Sequence, residues 1–100
     1  REINETTYPS ICDAILTPTP GEITFPILKR NAREGLVASE TEVLQAMKLL
    51  YQHFKIVSEP GGAVAAAAAI FSKKKLKEKD IIVVVSGGNV DSEVFSRAIS

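Results

Sequence analysis

Five aliphatic residues in a row, Ile81-Ile82-Val83-Val84-Val85, lead directly into Ser86-Gly87-Gly88-Asn89. A strand with one face in water alternates apolar and polar side chains, and this one does not. A run that is apolar on both faces predicts a central parallel strand with helices packed on each side, closed by a sharp turn. Such a strand needs neighbours. Leu36-Val37-Ala38 is a second short apolar run that reads as a buried strand. Two strands joined by crossovers cannot cover five aliphatic residues on both faces. The missing strands and helices are therefore expected from upstream chain, another chain, or both. The sequence predicts an α/β architecture, a partial parallel sheet with covering helices, and residues 1–100 read as a single segment of an incomplete domain.

The helices are signalled by their ends. Pro9, Pro18, Pro20 and Gly21 make the first residues irregular, with one short helical stretch through Ile11–Leu16. A helix over about Phe25–Glu34 follows, with Thr24 as cap, Pro26 in its first turn and Gly35 as its stop. Ser39 and Glu42 have capping-box spacing. The helix they open carries Val43, Met47, Leu50 and Phe54 on one face. An alanine-rich helix is predicted from about Ala63 to Phe71, since small side chains let it sit close to a neighbour. A last helix spans about Ser92–Ile99, with Asp91 placed to cap it.

Charge and composition narrow the partners. Twelve basic and twelve acidic residues cancel to a formal charge of zero, which offers no electrostatic footprint for nucleic acid. The longest apolar run, Ala63 to Phe71, falls short of the about 20 residues that span a bilayer. One cysteine, Cys12, excludes an intrachain disulfide and suits a reducing cytoplasm. The chain opens on Arg1 with no charged-then-apolar leader, so it is expected to be a piece of a longer polypeptide.

Open α/β sheets bind ligands at the C-terminal ends of their strands, where Ser86–Asn89 is predicted to lie. Gly87 and Gly88 let the backbone approach a flat or anionic ligand, the next helix offers free N–H groups, and Ser86 adds a hydroxyl. The second candidate is Glu59-Pro60-Gly61-Gly62-Ala63, a carboxylate ahead of a helix that opens with proline and glycines. Each also has a purely structural reading. The first is then turn punctuation, and the second a dipole interaction of about 0.3–1 kcal/mol. Cys12 reads as a small buried apolar group, His53 as a surface residue at a helix end, and Lys73–Lys79 as a solvated helix end and loop.

Taken together, Ser58-Glu59-Pro60-Gly61-Gly62-Ala63, the alanine-rich helix, the lysine-rich loop and Val83-Val84-Val85-Ser86-Gly87-Gly88-Asn89-Val90-Asp91 resemble the C-terminal half of the threonine/serine dehydratase (threonine ammonia-lyase) and serine racemase family. The likeness continues through Ser10–Ala14, Thr17–Pro26 and Val37–Glu40, so it covers nearly the whole chain. It implies the fold type II architecture of pyridoxal 5'-phosphate (PLP) enzymes, with this chain as the C-terminal part of the PLP-binding domain. It also implies that Ser86 hydrogen-bonds the pyridine nitrogen, that Gly87, Gly88 and Asn89 shape the pocket wall, that Glu59 orders the network near the ring, and that the backbone at Ala14 lies close to it. The lysine that holds PLP covalently, the glycine-rich phosphate loop and any metal-binding carboxylates belong to family segments that this sequence does not contain. No catalytic residue and no metal ligand is therefore assigned.

The activity so implied for the parent is β-elimination of water and deamination of a small hydroxy amino acid, threonine or serine, giving a 2-oxo acid and ammonia. The parent is expected to be a homo-oligomer. A serine racemase or a 3-hydroxyaspartate dehydratase is the alternative within the enzyme class. A self-standing, non-catalytic α/β binding domain is the alternative outside it.

Overall fold

The computed structural model describes residues 9–74, 76–77 and 80–100. Their order is a 3₁₀ turn (Asp13–Ile15) followed by four helices: α1 (Thr24–Asn31), α2 (Glu40–Phe54), α3 (Pro60–Phe71) and α4 (Ser92–Ile99). Part of the Lys73–Lys79 run is described, but Lys75, Glu78 and Lys79 lie outside the described residues.

α2 is the central element, and its ends explain its length. The Ser39 Oγ accepts from the Glu42 N–H at 3.2 Å, and the Ser39 N–H donates to Glu42 Oε2 at 2.7 Å. This reciprocal pair is the capping box that the spacing predicted. At the other end Lys55 takes the left-handed conformation, φ 58°. Its N–H bonds the Tyr51 carbonyl at 3.0 Å while the Ile56 N–H reaches back to Leu50 at 3.3 Å, the wrapped C-terminus in which glycine is usual.

α3 and α4 both pack on α2, and the 3₁₀ turn packs on α3. The buried apolar set among the described residues is Cys12, Val43, Ala46, Met47, Ala63, Ala66, Ala67 and Ala98. Five of these eight are alanine, so Met47 and Val43 of α2 supply most of the side-chain volume in a close helix–helix contact. Tyr51 and Phe95 meet edge to face at 5.3 Å between ring centres, which locks α4 to α2. The Lys48 ammonium donates to the Ser100 carbonyl at 3.0 Å and closes the same interface.

Several expectations are corrected. Neither Leu36–Ala38 nor Ile81–Val85 forms a strand, and no strand occurs among the described residues. A strand is completed by its neighbours' hydrogen bonds, and these two runs find none here. Leu36, Ala38 and Val85 are half-buried, while Val37 and Ile82 stand in solvent at 88% and 95% exposure. The sheet of the predicted α/β fold is thus not formed among the described residues of this chain.

α1 ends at Asn31 rather than Glu34. The Asn31 amide turns back to the Ile27 carbonyl at 2.8 Å, and Ala32 goes extended at ψ 139°, so Gly35 has no role as a stop. The Thr24 side chain caps nothing: it is the first helical residue, behind Ile23. The Ile11–Leu16 stretch is helical only as the 3₁₀ turn. α3 begins three residues before Ala63 because Pro60 is well suited to the first helical position. Asp91 stands at the N-cap of α4, as predicted, but makes no side-chain cap bond. Phe54 leaves the buried face and is exposed.

Candidate functional site

The two segments singled out from sequence meet in space. The Glu59 N–H, at the N-cap of α3, donates to the Gly87 carbonyl at 3.0 Å. On the other side of that contact, Gly62 in the first turn of α3 presses on the same peptide. A Cβ on Gly62 would stand 2.5 Å from the Gly87 carbonyl oxygen and 2.9 Å from its nitrogen. A Cβ on Gly88 would stand 2.6 Å from the Val57 carbonyl oxygen. None of these glycines has positive φ. Space rather than backbone conformation is what excludes a side chain.

The turn itself is tight. The Val90 N–H bonds the Gly88 carbonyl at 3.0 Å, closing a three-residue turn around Asn89. Ser86, Gly88 and Asn89 are exposed, Gly87 and Glu59 half-buried, and Gly61 and Gly62 buried. Ala14 in the 3₁₀ turn is exposed and sits beside α3: a Cβ on Gly61 would lie 3.8 Å from the Ala14 Cβ and 3.4 Å from Ile15 Cγ2. Glu59, Ala14 and Gly87 therefore come together around the N-terminus of α3, Gly88 stands against Val57, and Ser86 and Asn89 flank the two glycines in the chain.

Two members of this cluster were given no role of their own from the sequence. Gly62 packs the segments together, and the signal was available: two glycines in the first turn of an otherwise alanine-rich helix cost about 0.5–1 kcal/mol each relative to alanine, a cost that calls for a reason. Ser58 gave no signal. It is fully buried, and its Oγ has no hydrogen-bond partner.

The residues suit one edge of a planar aromatic cofactor. The glycine turn presents bare backbone, and Ser86 offers a neutral hydroxyl from an exposed position beside it. Three lysines are engaged elsewhere. Lys48 is held by Ser100, Lys55 donates to the Gln52 carbonyl and covers the Tyr51 ring, and Lys74 pairs with Glu34. No group of three His, Cys, Asp or Glu is placed to hold a metal among the described residues. Cys12, just before the 3₁₀ turn, is buried, and that burial pushes its thiol up. The Ser10 side chain pulls the other way, and the charges of Glu40 and Asp13 add to the rise. His53 is exposed.

Comparison with known proteins gives this geometry a context. The family model described as pyridoxal-phosphate dependent enzyme matches residues 1–87. Serine racemase of Dictyostelium discoideum is 38% identical over 93 residues, covering 91% of this chain and 28% of that protein. The beta-hydroxyaspartate dehydratase of Paracoccus denitrificans is 35% identical, over 82% of this chain and 26% of the relative. The L-threonine ammonia-lyase of Thermotoga maritima is also 35% identical, over 92% and 23%. The crystal structure of the Dictyostelium serine racemase superposes with a TM-score of 0.68 at 39% identity, covering 90% of this chain and 29% of that one. The chain thus spans about a quarter of the length of the relatives it matches. The family match runs through Glu59–Gly62 and reaches Gly87, the residues that meet at the start of α3, and the chain belongs to the pyridoxal-phosphate dependent enzymes.

Proposed function

We propose that these 100 residues line the pyridine side of a PLP site in an ammonia-lyase, as the C-terminal part of its PLP-binding domain. The parent enzyme eliminates the β-hydroxyl of a small hydroxy amino acid, threonine or serine, as water; hydrolysis of the resulting imine takes one water back and releases ammonia and a 2-oxo acid. The observation that carries this reading is the Glu59–Gly87 hydrogen bond at 3.0 Å, which joins the two segments the family resemblance rests on.

Bound PLP supplies the electron sink that acidifies the α-C–H and lets a β-hydroxyl depart. What this chain adds is control of that sink. The Ser86 hydroxyl would hold the ring nitrogen as a neutral hydrogen-bond donor. A neutral partner leaves that nitrogen unprotonated, whereas a carboxylate would favour its protonated form. The weaker sink suits elimination, in which the leaving hydroxyl carries the electrons away. Gly87, Gly88 and Asn89 form the wall against the ring, Ala14 adds backbone beside it, and Glu59 holds the wall in place. The lysine that binds PLP, the phosphate loop and the substrate contacts come from the rest of the polypeptide. That remainder also supplies the strands that pair Leu36–Ala38 and Ile81–Val85 into a parallel sheet. The parent works as a homo-oligomer in the cytoplasm, a setting suited to a single thiol. Among the described residues no helix is long and apolar enough to cross a membrane.

Replacing Ser86 by alanine in the complete polypeptide tests the reading. One lost hydrogen bond to the ring should lower turnover about tenfold, the equivalent of about 1.4 kcal/mol, with the circular dichroism unchanged. Unchanged turnover together with an unchanged PLP absorption band would remove Ser86 from the site. Similarity to a serine racemase and to a hydroxyaspartate dehydratase favours a second reading in which the same site serves racemisation or a 3-hydroxyaspartate substrate. Product analysis with L-serine separates the two activities: pyruvate and ammonia for the lyase, D-serine for the racemase.

A further inference from the structure

We infer that Gly87 is a positioning residue whose missing side chain is the seat of the Glu59 carboxylate; this rests on the PLP reading above. The Glu59 side chain lies over the Gly87 Cα. A Cβ built there would collide with Oε1 and stand 3.1 Å from Cδ and 3.6 Å from Cγ. The same two residues are tied through the backbone by the Glu59 N–H on the Gly87 carbonyl. Glu59 therefore grips Gly87 at two points, carbonyl and Cα, while Gly62 closes against the peptide from the α3 side.

The glycine is not needed for its backbone geometry, because no described glycine has positive φ. An alanine could adopt the same conformation. Its methyl group would meet the far end of a flexible side chain, so the turn need not break, but the carboxylate must leave. Gly88 and Gly62 differ in this respect, since their obstacles are backbone atoms that cannot swing aside. Gly87 is thus the one glycine of the three whose replacement moves a charge instead of a chain segment. Ser86 is its immediate neighbour in the chain, so displacing the Glu59 carboxylate changes the surroundings of the turn that carries the Ser86 hydroxyl.

A double-mutant cycle on the complete, PLP-loaded polypeptide tests this: wild type, Gly87→Ala, Glu59→Ala and the double variant. The readouts are PLP dissociation, the position of the cofactor absorption band and the melting temperature. Gly87→Ala should shift the band and weaken PLP retention about tenfold. Glu59→Ala should do the same. The double variant should lose no more than Glu59→Ala alone, because the displaced group is already gone. If Gly87→Ala does not fold, recovery of folded holoprotein in the double variant supports the contact, and a double variant that also fails to fold overturns it. Losses that multiply, or a band unmoved in Gly87→Ala, likewise overturn it. A wild-type polypeptide that takes up no PLP would instead refute the functional reading, which is a different result from additivity in a protein that does bind it.

Discussion

At the scale of single residues, the glycines of this chain divide by what stands where a side chain would be. Gly62 faces the backbone of Gly87, whereas nothing lies within 4 Å of a Cβ on Gly35. Gly62→Ala should therefore cost about 1–3 kcal/mol, as overpacking does. Gly35→Ala should be neutral or stabilising by up to about 1 kcal/mol. Urea unfolding of the two variants side by side decides this, and equal effects would show that the Gly62 contact is not tight. Cys12 offers a test through pH. Its thiol is raised above the ordinary 9.0, chiefly by burial, so the folded state holds the proton longer than the unfolded chain does. Stability is then fully present below pH 9, and falls as pH rises from there through the folded-state value. Iodoacetamide labelling should be slow at neutral pH, and Cys12→Ser should flatten the alkaline loss of stability. Rapid labelling at neutral pH would contradict this placement. The glycines at the start of α3 ask for a reason in sequence, but the partner of Gly62 could not be located there, because only the meeting with Gly87 excludes a methyl group.

Among the helices, the ends that are written in short-range chemistry were legible. Ser39 and Glu42 announce the start of α2, and the bounds of α4 follow from the residues after Asp91. The Ser39 cap should be worth about 1 kcal/mol, so Ser39→Ala lowers stability by that amount. Lys55 works in the opposite direction. It holds a left-handed conformation at φ 58°, and glycine there avoids a cost of about 1–2 kcal/mol. Lys55→Gly should raise the melting temperature even though it loses the contact with Tyr51. A lower melting temperature would mean that the ammonium over the ring outweighs the backbone. The end of α1 was misplaced because Asn31 competes for a helix carbonyl with its own amide, an event one turn ahead of the glycine that looked like the stop. The true start of α3 is hidden in the sequence because glycines in a helix are unfavourable on propensity alone, and their reason lies in the distant turn.

For the molecule as a whole, the two β-prone runs mark the limit of what this chain contains. A helix satisfies most of its backbone within itself, so four helices form among the described residues. A parallel strand depends on neighbours far along the chain, and among the described residues Ile81–Val85 pairs with none, whatever its apolar pattern favours. The radius of gyration, 14.5 Å, exceeds the about 13 Å of a compact chain of this length, in keeping with so small a buried core. Ile82, 95% exposed, separates the two settings. Ile82→Lys in the isolated chain should change stability by less than about 0.5 kcal/mol and reduce self-association, seen by gel filtration. In the complete polypeptide, if the proposed sheet covers Ile82, the same change should be strongly destabilising, because it places a charge away from water. A neutral result there, with a stable monomeric isolated chain, would favour an independent binding domain over part of an enzyme.

The bond between Glu59 and Gly87 also has a consequence for how such a chain can vary in length. The polypeptide leaves that junction along α3 and returns to it, so the stretch between is a closed excursion with both ends pinned. The twelve residues of α3 carry the far end about 18 Å away from the junction. Doubling the connection beyond Phe71 would add only about 0.6 kcal/mol of closure entropy and would leave the pinned ends where they are. Insertions, fusions or a changed lysine content belong in that connection. Between Glu59 and Gly62, or between Ser86 and Asn89, a single added residue would put the two segments out of step.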